Sequence, residues 1–105
     1  MIPFITYELD KVYRLRFGMQ TQVEFEHLTG INIGELESRS LTATEAARML
    51  FCMMRADGNK DLTFEESMRI LDEYADSMQQ VNEKVSEAIQ AAYSTGKKVK
   101  NSKAV

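Results

Sequence analysis

The sequence predicts a mainly α fold: an N-terminal β-hairpin followed by three to four helices, the last of them long and either projecting or broken near residues 77–82. Three observations point there. β-Branched and aromatic residues roughly alternate with polar ones over residues 4–17, two Thr-x-x-Glu capping signals stand at Thr42 and Thr63, and an apolar heptad pattern starts at Phe64. With 105 residues the chain has material for one core. The expected organisation is a single compact domain over residues 1–95, with the hairpin at 4–17, and a flexible basic tail at 96–105.

Each element has its own signal. Phe4–Leu9 and Val12–Phe17 flank Asp10-Lys11, which reads as two short antiparallel strands around a tight turn. Gly18 ends the second strand. Met19, Val23, Phe25 and Leu28 then mark a first helix over 19–29, stopped at Gly30, where helices often take a left-handed cap. Ile31–Glu37 is a connector. Thr42 and Glu45 form a capping box for a second helix over 43–56, apolar nearly all round after Arg48. Such a helix is either central to the fold or covered on its outer face by another molecule.

Thr63 and Glu66 cap the next helix. From there one heptad row holds Phe64, Leu71, Met78, Val85 and Ala92, and its companion holds Met68, Ala75, Asn82 and Ile89. An unbroken helix over 64–93 would be about 45 Å long and would outrun a compact domain of this size, which is about 26 Å across. The alternative is a break near Ser77–Gln80 that lets a terminal helix pack on its own domain.

Composition excludes several function classes. All 16 acidic residues and 9 of the 13 basic ones lie within residues 1–96, a net charge of −7, so the body repels a phosphate backbone and nucleic acid is not an expected partner. Lys97, Lys98, Lys100 and Lys103 make the remaining segment basic. No apolar run approaches the roughly 20 residues of a membrane span, and Met1-Ile2-Pro3-Phe4 lacks the basic start of a signal peptide. No membrane partner and a cytosolic location are expected.

The single Cys52 and the single His27 leave little for catalysis. Cys52 lies inside the apolar run Met49–Met54, the setting of a buried, inert thiol. Glu24-x-x-His27 has the spacing of a di-iron helix motif, but such a site needs two copies of it. Arg55–Glu66 resembles a calcium-binding EF-hand loop, with Asp57, Asn59, Asp61, Thr63 and Glu66 at ligand positions. Arg55 then occupies the first ligand position, and Lys60 stands where the loop needs glycine. A degenerate calcium-binding protein is therefore an alternative reading, and a homo-oligomeric coiled-coil adaptor is another. No enzyme and no cofactor is expected.

Methionine is the residue in excess. Met49, Met53, Met54, Met68 and Met78, with Leu71, Val85 and Ile89, are the candidate partner-binding residues, because flexible, polarisable side chains adapt to varied apolar surfaces. Plain core filling is the competing reading of the same residues.

Tyr13–Met19, then Phe25-Glu26-His27-Leu28-Thr29-Gly30 with Ile31 and Ile33, then Arg48–Phe51 in a Thr-capped helix, then Asp61–Glu66 before Ile70-Leu71, together resemble the tail assembly chaperones of long-tailed bacteriophages over about residues 4–76. The resemblance implies a small, mostly helical, non-enzymatic protein acting in the host cytoplasm and absent from the mature virion. Its implied partners are the tape-measure protein, which it keeps soluble, and the tail-tube protein, which it recruits. Homo-oligomers are compatible with that role. Many members of the family also have a longer, frameshifted form.

Overall fold

The computed structural model describes the backbone of residues 2–37 and 40–104, and the side chains of these residues up to Tyr93 apart from Glu37. Among the described residues the order is β1 (Ile5–Glu8), β2 (Val12–Leu15), α1 (Met19–Thr29), a 3-10 turn (Ile33–Glu37), α2 (Ala43–Ala56), α3 (Phe64–Tyr74) and α4 (Met78–Ala104). The mostly helical architecture with an N-terminal hairpin is the one the patterning predicts.

β1 and β2 pair antiparallel, Ile5 opposite Leu15 and Tyr7 opposite Tyr13. The two-residue period turns Tyr7, Tyr13 and Leu15 into the core and leaves Thr6, Glu8, Val12 and Arg14 outside. The connection takes in Leu9 as well as Asp10-Lys11; the Leu9 N–H bonds the Lys11 carbonyl at 2.8 Å, and the Leu9 side chain is buried. A lone hairpin is marginal in water. This one is held from both sides, β2 against α2 and β1 against α4.

α1 ends at Gly30, whose φ of +76° is left-handed and whose N–H reaches the Glu26 carbonyl at 2.7 Å. Glycine adopts this conformation without the strain a Cβ would bring. Both predicted capping boxes form: Thr42 with Glu45 opens α2, and Thr63 with Glu66 opens α3.

α2 is the hub. It packs on α1, β2, α3 and α4, and every residue from Met49 to Met54 is buried. Its all-round apolar character is thus met from within the molecule: of the two readings open for this helix, the central one holds.

The long heptad pattern does not run as one helix. α3 stops at Tyr74, Ala75 turns extended with ψ of 145°, and α4 restarts at Met78 and folds back onto α2 and β1. Ser77 opens the new helix, its Oγ accepting the Gln80 N–H at 3.1 Å. The inward stripe of α4 is Val81, Val85 and Ala88, extended by half-buried Ile89, Ala92 and Tyr93. Tyr93 sets its ring edge-on to buried Phe17, 5.8 Å between centroids.

α4 continues to Ala104, so the backbone of residues 96–104 is helical. Val105 lies outside the described residues. At 27 residues α4 is about 40 Å long, which accounts for a molecule 46 Å in its longest dimension and 27 × 25 Å across. No helix among the described residues is long and apolar enough to cross a membrane.

Candidate interaction surface

The structure separates the eight candidate partner-binding residues into two groups. Met49, Met53, Met54, Leu71 and Val85 are buried, the first three because α2 is enclosed by four neighbours, Leu71 because it lies on the inner side of α3, and Val85 because α4 folds back. These five are core, and assigning them to an exposed adaptable surface is corrected accordingly. Ile89 is half-buried against the core. Only Met68 and Met78 are exposed, on either side of the α3–α4 break.

A larger apolar surface lies on α1. Met19 is 73% exposed and Val23 61%, and with Gln20, Glu24 and His27 they line a shallow depression of about 440 Å³. Met19, Val23 and His27 recur every four residues and so share one face, while Thr21 and Phe25 face inward. Leu28 is also exposed. The signal was in the sequence: apolar residues at 19, 23, 25 and 28 spread too far around the helix to meet one core. Further apolar exposure lies on the hairpin, at Phe4, between Arg14 and Arg16, and at Val12.

The floor beside the α1 depression is ionic. Glu24 pairs with Arg55 of α2 at 3.6 Å, and the Arg55 guanidinium covers the Phe51 ring at 5.6 Å. Cys52 lies beneath. Burial, then the nearby Glu24 carboxylate, push its thiol up to about 12, so it is protonated at neutral pH and not a nucleophile. Glu24 and His27 do line the same depression, yet Glu24 is engaged by Arg55.

The loop that resembles an EF-hand has a different task. Asp57 takes a two-pronged ion pair from Arg14 of β2, Nη2 at 2.9 Å and Nε at 3.1 Å. Asn59 accepts from Lys11 Nζ at 2.9 Å and donates to the Met54 carbonyl at 2.9 Å, closing the end of α2. Thr63 and Glu66 are used in the cap of α3. Four of the five residues at the ligand positions are thus spent on docking the hairpin and ending or starting helices. Among the described residues no three His, Cys, Asp or Glu side chains are grouped to hold a metal ion.

What the surface can do chemically is bind. It offers two apolar helix faces, the broad one on α1 and the narrow one at the α3–α4 corner. No match to the chain is found among protein-family models, curated proteins or solved structures.

Proposed function

We propose that this chain is a tail assembly chaperone of a long-tailed phage, which binds the tape-measure protein in the host cytoplasm, keeps it soluble, and brings tail-tube subunits to it without entering the mature virion. It acts by binding and not by catalysis. The observation that carries the reading is the exposed Met19–Val23 face of α1, an apolar helix surface on an acidic body. It begins at Met19, the last residue of the Tyr13–Met19 segment that carries part of the family resemblance, and ends near Phe25–Gly30, which carries another part.

The mechanism is helix masking. Amphipathic helices of a tape-measure protein would associate through their own apolar stripes; laid along α1 they meet Met19, Val23 and Leu28 instead. The net charge of −7 over residues 1–96 keeps the complexes apart in solution. This moves the contact from the buried methionines of α2 to α1, and leaves Met68 and Met78 as a second, smaller contact.

The test is co-expression with the tape-measure protein of the same phage. The wild-type chain raises the soluble tape-measure yield and co-purifies with it. Met19→Asp with Val23→Asp abolishes both while the variant stays folded by circular dichroism. A tape-measure protein equally soluble with and without the chain overturns the proposal.

A further inference from the structure

We propose that Ala75-Asp76-Ser77 is a helix-permissive hinge through which two copies of this chain exchange α4, each straightened α3–α4 laying its α4 half on the body of the other. This is independent of the tape-measure reading.

Three observations converge on it. The heptad register is unbroken across a break in the backbone: the rows Phe64–Leu71–Met78–Val85–Ala92 and Met68–Ala75–Asn82–Ile89 keep step through Ala75–Ser77. The folded-back chain makes no use of the middle of that register: Leu71 and Val85 are buried and Phe64, Ala75, Ile89 and Ala92 pack against the core, whereas Met68 and Met78, which flank the break, are 36% and 40% exposed. A second arrangement in which the seam is continuous does use it.

The break is also not imposed by the residues in it. Neither proline nor glycine occurs between Phe64 and Tyr93. What holds the turn is a set of side-chain hydrogen bonds: Ser77 Oγ accepts the Gln80 N–H at 3.1 Å, Gln80 Oε1 accepts the Asp76 N–H at 3.2 Å, and Gln80 Nε2 donates to Asp76 Oδ2 at 3.0 Å. In a continuous helix the Asp76 and Ser77 amides would be satisfied by backbone carbonyls one turn earlier. Three residues therefore choose between two hydrogen-bonded states.

Finally, α4 is anchored on elements far from it in sequence. It packs on β1 and α2, with a polar contact from Tyr7 to Gln80. A second copy offers the same partners, so exchange restores every one of these contacts. The lengths agree: in a continuous helix Leu71 and Val85 share a face about 21 Å apart, close to the 25–27 Å width of one molecule. One straight helix thus spans two bodies side by side. Met68, Tyr74 and Met78, exposed in the single chain, gather where the two helices cross.

The full-length chain, unfolded in guanidinium and refolded at about 1 mM and at about 5 μM, tests this by light scattering and amide hydrogen exchange. Refolding at the high concentration gives a dimer that persists after dilution, with exchange at Asp76–Met78 at least about tenfold slower than in the monomer. Met78→Pro, at the first position of α4 where proline is tolerated but a continuous helix is not, gives only monomer. Ser77→Ala removes the cap and raises the dimer fraction. No dimer at the high concentration, a dimer undiminished by Met78→Pro, or a dimer whose Asp76–Met78 amides exchange as in the monomer overturns the proposal. Should Met78→Pro fail to fold, an unchanged dimer fraction in Ser77→Ala overturns it.

Discussion

Tyr7 on β1 donates a 2.8 Å hydrogen bond to Gln80 on α4, joining positions 73 residues apart. Gln80 in turn holds Asp76 and the start of α4, so one amide side chain ties the hairpin, the α3–α4 turn and the last helix together. Lys84, one turn further along α4, lies over the Tyr7 ring at 5.8 Å.

Tyr7→Phe keeps the buried ring and removes the hydroxyl. Because Gln80 Oε1 still accepts from the Asp76 N–H, the loss falls in the range of an ordinary hydrogen bond, about 0.5–1.5 kcal/mol. Urea unfolding measures it as a lower midpoint with an unchanged slope.

Core and surface methionines respond differently. Met53→Ala, fully enclosed in α2, costs about 2–5 kcal/mol. Met19→Ala, exposed on α1, stays within about 0.5 kcal/mol. Equal losses in paired denaturation curves would contradict the burial assigned to them.

Stability falls on the alkaline side. Burial, with Glu24 nearby, raises the Cys52 thiol from its ordinary 9.0 to about 12, and burial first raises the Tyr7 and Tyr13 hydroxyls above 10.0. In each case the folded state holds its proton more tightly than the unfolded one. The contribution is complete below the unfolded value and is lost as pH rises from about 9 through the raised folded values. Cys52→Ala removes the earliest part of that decline, seen as a flatter melting-temperature profile between pH 9 and 10.

The acid side has an opposite contribution from the α3 cap. Hydrogen bonds from Thr63 hold the Glu66 carboxyl below its ordinary 4.5. Its stabilisation is present above that value and disappears as pH falls through the lowered one. Glu66→Gln makes the melting temperature less sensitive to pH below 4.5.

Calcium should find no site. Asp57 and Asn59 are occupied by Arg14 and Lys11, so titration with micromolar calcium gives no saturating heat. Asp57→Ala is read by urea unfolding and costs at most about 1 kcal/mol, as an exposed ion pair does.

Local signals carried most of the fold. The hairpin alternation, the Gly30 stop and both capping boxes are contained within a few residues each, and all four formed where their residues stand. The α3–α4 break was less legible because two local signals disagree there. The heptad rows favour continuity, whereas Ser77-x-x-Gln80 has the spacing of a helix start, and the Tyr7 hydroxyl that tips the balance comes from the far end of the chain. The burial of five of the candidate partner-binding residues was illegible for a related reason. Side-chain type marks Met49 and Met53 as adaptable, but only the number of neighbours around α2 reveals that they are enclosed. Met19 and Val23 carry no unusual chemistry; their helix simply has more apolar directions than the core has sides.

The order of synthesis gives the Tyr7–Gln80 contact a further meaning. The hairpin is made before α4, and the residue that closes it arrives 73 positions later, about 4–15 s at elongation rates of about 5–20 residues per second. Throughout that interval the nascent chain carries an unsealed pair of strands.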